Sequence, residues 1–326
     1  MGSLTDLHGP LVRLLDERTS YGELRGVAEE LFRRLADAVE LDVAAAGPDR
    51  IETGTGGGRA ISPVEAAQCI LDFRRTAVFL RGVLVALQTA RRRFHGTLEV
   101  VYAGTGPFAT LLLPLLPRLA PPGLRVTFID VHERSTVAVR GLVDALGVSG
   151  MVAGVVTADA ATYRHGCRIH VAIAETMQRA LENEPQVAVS RSLAAQLAPG
   201  GILVPERISV HLDAWSAGQP RGSGCRRVEL VQLRHTIGRE VPPIFGAGLD
   251  VTVPRPRGSE GLALLTRVGV FGRHRLDVNE SAITLPRPLP LLRAQAGRLV
   301  RVRYAGDARP GFVFGPARAC DPARRP

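Results

Sequence analysis

A glycine turn follows an apolar run near the middle of the chain, in the segment VVYAGTGPFATLLLPLL of residues 100–116. The run predicts a buried strand that passes through Gly104 and Gly106 into an apolar helix from Phe108 to Leu116. Glycines in such a turn let backbone N–H groups and the amino end of a helix approach a ligand. A lone G-x-G pattern is also found in plain strand-to-helix turns, so the turn needs support from other residues.

Two aspartates at the ends of later apolar runs give that support. Asp130 ends the run VTFIDV, at the position from which a carboxylate accepts hydrogen bonds from ribose hydroxyls. Asp159 ends the next run, in VVTADAA, where an adenine would lie. Three predicted strand ends therefore point at one nucleoside.

A parallel sheet is needed to bring these residues together. Five apolar runs alternate with helical stretches between Gly96 and about Ser209: LEVVYA, LRVTFIDV, VAGVVTAD, RIHVAIAE and GGILVPERI. This alternation predicts an α/β fold with a doubly wound, Rossmann-like parallel sheet. Ligands of such sheets bind beyond the carboxyl ends of the strands.

The chain divides into four predicted parts. Residues 1–94 form an N-terminal helical region or lid, 95–209 the Rossmann-like domain, 210–316 a β-rich C-terminal subdomain, and 317–326 a disordered tail. The β-rich subdomain supplies either a wall for a small-molecule substrate or a homodimer surface.

Two features of the first part bear on the site. Ser62, Pro63 and Glu65 form a capping box that predicts one long helix through residues 62–87, whereas the Gly-rich segment ETGTGGGR before it has no reason to be ordered on its own. Tyr21 heads an amphipathic helix that either closes over a ligand as a lid, packs in the core or lies exposed.

Composition excludes several functions. The formal charge is +10, but all 41 basic residues are arginine and they are scattered, so no nucleic-acid partner is predicted. The absence of lysine excludes a Walker phosphate loop, a pyridoxal Schiff base and a lysine nucleophile. We see no leader and no apolar run long enough for a membrane span, so a cytoplasmic protein without membrane contact is expected.

Cysteine spacing argues against a disulfide framework and a zinc cluster, because the cysteines are far apart: Cys69, Cys167, Cys225 and Cys320. The segment YRHGCRIH brings His165, Cys167 and His170 close in sequence. One segment offers too few ligands, so no metal is predicted.

The residues around the predicted strand ends resemble class I S-adenosylmethionine (SAM)-dependent methyltransferases, and in particular the protein arginine methyltransferases. The resemblance covers roughly residues 62–206. In that family a helix before the sheet carries D-x-x-R-T, present here from Asp72 to Thr76, and its arginine binds the methionine carboxylate of SAM. The resemblance implies that Arg75 has this role.

Two more motifs follow in the family's order. A loop after the fourth strand carries two glutamates nine residues apart, matched by Glu175 and Glu184 in AETMQRALENEP, and LAPGGILVPE follows at residues 197–206. The resemblance implies SAM as cofactor or co-substrate and the two glutamates as catalytic residues. The implied SAM-binding residues are Arg75, Tyr102, Gly104, Gly106, Asp130 and Asp159.

The chain also departs from this family. Tyr102 replaces the acid that normally holds the ammonium group of SAM, and Phe108 replaces a third glycine. The Thr-His-Trp triplet of the arginine methyltransferases is missing, which argues against histone-type methylation. The form VYAGTGPF is instead similar to the turn of nicotianamine synthases, which use the 3-amino-3-carboxypropyl arm of SAM.

The sulfonium activates three carbons, so the alignment of one of them with a nucleophile decides the product. Our preferred hypothesis is a biosynthetic enzyme of natural-product type that attacks the γ-carbon. It either closes the ring of azetidine-2-carboxylate, as azetidine-2-carboxylate synthases do, or transfers the aminocarboxypropyl group, and methylthioadenosine leaves. The alternative is a small-molecule N- or O-methyltransferase that releases S-adenosylhomocysteine, and a third hypothesis is a non-catalytic SAM-binding protein.

Overall fold

A five-stranded parallel sheet forms the centre of the protein, in a computed structural model that describes residues 7–39, 41, 47–119, 123–216, 227–234 and 243–317. Its strands are β3 (Leu98–Ala103), β4 (Leu124–Asp130), β5 (Val152–Thr157), β6 (Ile169–Ala174) and β7 (Leu197–Val204). Their order in the sheet is β5-β4-β3-β6-β7. The chain begins the sheet at β3, extends it through β4 and β5, and then returns to the other side of β3 with β6. The predicted doubly wound sheet is confirmed, and its switch point lies between β3 and β6.

Six α-helices and a short hairpin surround this sheet within the described residues. The helices are α1 (His8–Leu15), α2 (Tyr21–Ala38), α3 (Pro63–Gln68), α4 (Phe73–Arg93), α5 (Glu133–Ala145) and α6 (Gln186–Ala194), and the hairpin strands are β1 (Thr53–Thr55) and β2 (Gly58–Ala60). None of the described helices has the length and apolar character needed to cross a membrane.

The prediction of one continuous helix over residues 62–87 is wrong. The capping box of Ser62 and Glu65 is present, but α3 ends at Gln68 in a single 3₁₀ turn, and α4 starts again after Asp72. The Asp72 carboxylate accepts a hydrogen bond from the backbone N–H of Arg75 at 3.1 Å. Aspartate favours this capping geometry over a helix interior, so the break places Arg75 in the first turn of a new helix.

The predicted helix from Phe108 to Leu116 is also wrong. Turns follow Gly106, and the chain then forms a 3₁₀ helix over Leu113–Arg118. Pro114 and Pro117 have no backbone N–H to donate, which prevents a regular α-helix here. The glycines themselves behave as expected, because Gly104 and Gly106 have left-handed φ angles of 69° and 56°.

The Gly-rich segment before α3, which has no reason to be ordered on its own, is held by distant residues. The N–H of Gly56 donates to Asp159 at 2.7 Å, and the N–H of Arg59 donates to the carbonyl of Asn183 at 2.8 Å. Gly57 lies so close to α6 that a Cβ on it would be 2.3 Å from the Ala188 Cβ. The hairpin thus packs over the carboxyl edge of the sheet.

Antiparallel sheets follow the Rossmann-like domain and confirm the predicted β-rich region. One has the order β12-β11-β8-β9, with β13 beside β11, and the other has the order β10-β14-β15. Their strands are β8 (Arg207–Trp215), β9 (Val228–Arg234), β10 (Leu249–Thr252), β11 (Gly261–Phe271), β12 (His274–Leu276), β13 (Arg287–Pro288), β14 (Leu299–Ala305) and β15 (Gly311–Pro316).

Helix α4 joins the two regions, because it contacts β6 and β7 on one side and β11 and β12 on the other. Gly82 in α4 permits this approach, since a Cβ there would be 2.4 Å from a Val270 methyl carbon. The domain boundaries at residues 94 and 209 stay predictions. The predicted tail lies outside the described residues from residue 318 onward, as do Cys225 and Cys320.

Candidate active site

A cavity of about 350 Å³ lies at the carboxyl edge of the parallel sheet, next to its switch point. All the residues predicted for the site line it: Arg75, Tyr102, Gly104, Gly106, Asp130, Asp159, Glu175 and Glu184. The fold therefore brings the eight side chains and glycines to one place, and their roles toward a ligand stay predictions.

Asp130 ties the glycine turn to the end of β4. Its Oδ2 accepts a hydrogen bond from the Gly106 N–H at 2.8 Å, and its Oδ1 accepts one from the His132 N–H at 2.9 Å. Burial raises the pKa of this carboxyl, and the two backbone hydrogen bonds oppose that rise. The Thr105 hydroxyl also donates to Oδ2 at 3.5 Å, whereas Oδ1 has a second lone pair that can accept a hydrogen bond from a hydroxyl of a ligand.

Asp159 holds the hairpin as a roof over the cavity. Its Oδ2 accepts from the Gly56 N–H, and its Oδ1 accepts from the Ala161 N–H at 2.8 Å. Thr55, at the end of β1, and Ile61, just after β2, line the cavity. Sequence reasoning missed this roof, and the one signal for it was the unbroken run of glycines that lets the hairpin approach α6.

Arg75 and Glu175 form an ion pair in the cavity wall, with their side chains 11% and 3% exposed. Arg75 also donates through Nη1 to the carbonyl of Cys69 at 3.1 Å. Within the described residues, the Nε of Arg75 and the Oε1 of Glu175 are buried without a hydrogen-bond partner. The cavity wall therefore contains one buried donor and one buried acceptor whose hydrogen-bonding capacity is not used within the described residues.

Gln186 fixes the chain around Glu175. It is the first residue of α6, and its Nε2 donates to the Ala174 carbonyl at 3.0 Å while its Oε1 accepts from the Thr176 N–H at 2.8 Å. Gln186 thereby fixes the backbone of Ala174 and Thr176, the two residues on either side of Glu175. Thr176 also packs on the glycine turn, since a Cβ on Gly104 would be 2.2 Å from its methyl carbon.

Glu184 is buried, and burial raises the pKa of its carboxyl to about 7, although the charge of Arg75 opposes the rise. A carboxyl with a pKa near neutrality can both accept and return a proton during a reaction. Such a strongly shifted group in a cavity is also a typical mark of a functional site.

The backbone before Glu184 is strained. Ala180, Leu181 and Asn183 have φ angles of 58°, 56° and 63°, which residues other than glycine rarely adopt. The C-terminal region holds this segment: Thr266 Oγ1 accepts from the Ala180 N–H at 2.9 Å, and the Tyr304 hydroxyl donates to the Leu181 carbonyl at 2.7 Å. Sequence reasoning did not predict this support.

Tyr102 lies near the end of β3, where the family that the sequence resembles has an acid. The residue is 3% exposed, and its ring packs edge-on against Phe128 at 6.2 Å between centroids. Burial raises the pKa of the Tyr102 hydroxyl, so the group stays neutral. The cavity wall therefore has an uncharged side chain at this position.

The C-terminal region also supplies a wall of the cavity through Ala282 and Ile283. Asp72 anchors them, because its Oδ2 accepts from the Ser281 hydroxyl at 2.6 Å and from the Ala282 N–H at 2.8 Å. Tyr21 is 60% exposed and packs beside Phe73, and it is not among the residues that line the cavity.

No family model and no curated protein matches the chain. Among solved structures it is similar to the "Trypanosoma brucei PRMT1 enzyme-prozyme heterotetrameric complex with AdoHcy", with 12% sequence identity, a TM-score of 0.50, and coverage of 73% of this chain and 86% of that chain. At this identity the similarity concerns the fold. The chain therefore shares the fold of that structure, and this fold consists here of a Rossmann-like parallel sheet followed by antiparallel sheets.

Proposed function

We propose that the protein is a SAM-dependent transferase of small molecules that binds one SAM in the cavity at the switch point. The observation that carries this proposal is the group of Arg75, Glu175 and Glu184, buried together in the wall of that cavity. The neighbouring structure with the same fold was solved with AdoHcy.

The residues of the cavity fit the parts of SAM. The guanidinium of Arg75, whose Nε has no hydrogen-bond partner within the described residues, suits the methionine carboxylate. The carboxylate of Glu175, whose Oε1 likewise has no partner there, suits a cationic group. The glycine turn leaves room for a ligand to approach the backbone, and Asp130 and Asp159 retain acceptor capacity for the nucleoside. Together these groups match a molecule with a nucleoside, a carboxylate and positive charge.

For the reaction itself, we propose attack on the γ-carbon of the aminocarboxypropyl arm. The cavity volume of about 350 Å³ is near the lower end of the range of roughly 300–1,000 Å³ for pockets of drug-sized ligands. Such a volume is suited to a single ligand, as ring closure within one SAM molecule requires. A neutral Tyr102 in place of an acid also favours an amine that is able to lose its proton.

Ring closure is an internal displacement at the γ-carbon of SAM. The Glu184 carboxylate takes one proton from the α-ammonium group of SAM, and the resulting amine forms a bond to the γ-carbon. The bond between the γ-carbon and sulfur breaks, and its electron pair goes to sulfur. Methylthioadenosine leaves as a neutral thioether, and the four-membered ring remains as azetidine-2-carboxylate. If an acceptor amine attacks instead, the aminocarboxypropyl group is transferred to it.

A methyltransferase is the second candidate, because the similar solved structure is an arginine methyltransferase and two carboxylates in the wall suit an acceptor amine. In that case the methyl carbon is attacked and S-adenosylhomocysteine leaves.

Incubation of the purified protein with SAM alone, followed by mass spectrometry of the products, separates these reactions. We expect methylthioadenosine and azetidine-2-carboxylate well above the spontaneous background. The variant Glu184→Gln should lose this activity, and Glu182→Gln in the same segment should keep it. Homoserine in place of the cyclic product would mean that water attacked the γ-carbon of the aminocarboxypropyl arm because no acceptor molecule was present. That result favours group transfer.

S-adenosylhomocysteine that forms only after a library of amines and phenols is added would make the protein a methyltransferase. SAM binding without any turnover under either condition would favour a non-catalytic binding protein.

A further inference from the structure

A second cluster of polar side chains lies at the amino edge of the parallel sheet, opposite the cavity. Glu99 is at the start of β3, and His165 and Cys167 lie in the loop that leads into β6. Because β3 and β6 are parallel neighbours, their amino ends meet, and this brings the three residues together. Sequence reasoning considered the histidine and the cysteine but not Glu99, which is far away in the chain.

The donor atoms of the three side chains face one another. One ligand atom of each residue lies within 4.8 Å of the other two, and His165 Nε2 is 3.6 Å from Glu99 Oε2. The side chains of His165 and Glu99 are 9% and 11% exposed. Within the described residues, His165 Nε2 and Glu99 Oε2 are both buried without a hydrogen-bond partner. Cys167 is exposed, so solvent reaches the cluster from its side.

Neighbouring groups orient these atoms. The Tyr163 hydroxyl lies 3.2 Å from His165 Nδ1, and the Gln196 amide oxygen accepts from the His165 backbone N–H at 2.7 Å. When Nδ1 carries the proton toward Tyr163, the lone pair of Nε2 faces the Glu99 carboxylate. The lone pairs of His165 Nε2 and Glu99 Oε2 then face the same small space and repel each other. A cation between the two atoms would remove this repulsion. A partner on the other ring nitrogen is also typical of histidines that bind metals.

Arg125 and His170 lie near the cluster, but neither occupies the position between His165 Nε2 and Glu99 Oε2. Arg125 Nη1 lies 3.4 Å from Oε1 of Glu99, which leaves Oε2 free for another partner. His170 accepts the Glu99 backbone N–H through its Nδ1 at 2.9 Å, so it supports the start of β3 and adds no ligand.

We propose that Glu99, His165 and Cys167 form a site for a Zn²⁺-class divalent cation, with water in the fourth position. One carboxylate, one imidazole and one thiolate are the donor types that Zn²⁺ takes in tetrahedral sites. The ion would fasten the loop before β6 to the start of β3. Binding forms a metal–sulfur bond and releases the thiol proton to solvent. This site is separate from the SAM cavity and does not depend on the proposed reaction.

Titration of the metal-free full-length protein with Co²⁺ tests the proposal, because a thiolate–Co²⁺ bond has a charge-transfer absorption in the near ultraviolet. We expect one equivalent to bind, with this absorption, with release of one proton, and with displacement by added Zn²⁺. The variant Cys167→Ser should lose the absorption. It should also weaken metal binding by at least the roughly 10- to 100-fold that loss of a supporting residue costs at such sites.

Two controls assign the absorption. Cys69→Ser removes the other described cysteine, which lies in the cavity wall, and the double variant Cys225→Ser/Cys320→Ser removes the remaining two. Both should keep the absorption. His165→Gln should weaken binding while leaving the thiol in place, and thermal unfolding of each metal-free variant checks its fold. Failure to bind one equivalent, an unchanged absorption in Cys167→Ser, or its loss in either control overturns the proposal.

Discussion

Arg75 and Glu175 form a buried ion pair that joins the first turn of α4 to the residue after β6. The pair crosses the wall of the cavity, so the orientation of the arginine depends on both elements. Removal of one partner of a buried pair leaves an uncompensated charge, which is strongly destabilising.

Arg75→Ala should weaken SAM binding. Loss of a hydrogen bond to a charged group costs about 1.5–3 kcal/mol, which corresponds to roughly a 10- to 100-fold higher Kd. Titration calorimetry with SAM measures this change. Arg74→Ala is the matched control, because Arg74 is the adjacent arginine and pairs with Glu280. Equal affinities of Arg75→Ala and the unchanged protein would remove the carboxylate-binding role.

Glu184 should set the pH dependence of turnover. Its carboxyl has a pKa raised to about 7, and the carboxylate form is the one that accepts a proton, so the rate should rise through about pH 7 and then level off. Glu184→Gln should abolish both the activity and this rise. A rise at the same pH in Glu184→Gln, if residual activity allows its measurement, would assign the titration to another group.

The same carboxyl should make the folded state less stable as the pH rises. The pKa is raised in the folded protein from 4.5 to about 7, so the folded state holds the proton more tightly than the unfolded state across that window. The free energy of unfolding should therefore fall between about pH 4.5 and 7, by on the order of 3 kcal/mol from this group. Urea unfolding at pH 5 and pH 8 should show a smaller fall for Glu184→Gln than for Glu182→Gln.

Tyr304→Phe should lower turnover although Tyr304 is not among the residues that line the cavity. Its hydroxyl holds the carbonyl of Leu181 in the strained segment before Glu184, and that carbonyl would lose its partner. The expected loss of stability is about 1–3 kcal/mol. Urea unfolding and steady-state kinetics measure the two effects, with Tyr21→Phe as an exposed control. Unchanged kinetics would mean that the segment keeps its shape without this support.

Gly57→Ala should displace the hairpin roof. The new methyl would overlap the Ala188 Cβ, whereas a Cβ on Gly54 meets nothing within 4 Å. Overpacking of this kind costs about 1–3 kcal/mol. We expect weaker SAM binding and faster proteolysis of the hairpin in Gly57→Ala but not in Gly54→Ala. Equal behaviour of the two variants would show that the roof does not contribute to binding.

The sequence was sufficient for the parallel sheet and for the residues at its strand ends. Buried strands and helical crossovers have local patterns, and the sheet then brings Gly104, Asp130 and Asp159 to one edge whatever the details of the loops. The helix break at Asp72 was visible as a capping residue, but the stronger capping box ten residues earlier favoured a single helix.

Other features depend on contacts between distant segments and had no local signal. The hairpin is ordered by Asp159 and Asn183, and the segment before Glu184 is held by Thr266 and Tyr304. The cluster with Cys167 needs the pairing of β3 with β6. Only the assembled chain shows these relationships.

Asp72 uses one oxygen to cap the helix that carries Arg75 and the other to anchor Ser281 and Ala282. A single carboxylate thus connects the cavity wall that contains Arg75 with the wall contributed by Ala282 and Ile283 of the C-terminal region. The parallel-sheet region and the C-terminal region therefore depend on each other. A fragment that ends after β7 would keep the strand ends but lose the cavity wall of Ala282 and Ile283. It would also lose the contacts that hold the segment before Glu184. Replacement of the C-terminal region by that of another protein would replace a wall of the cavity as well.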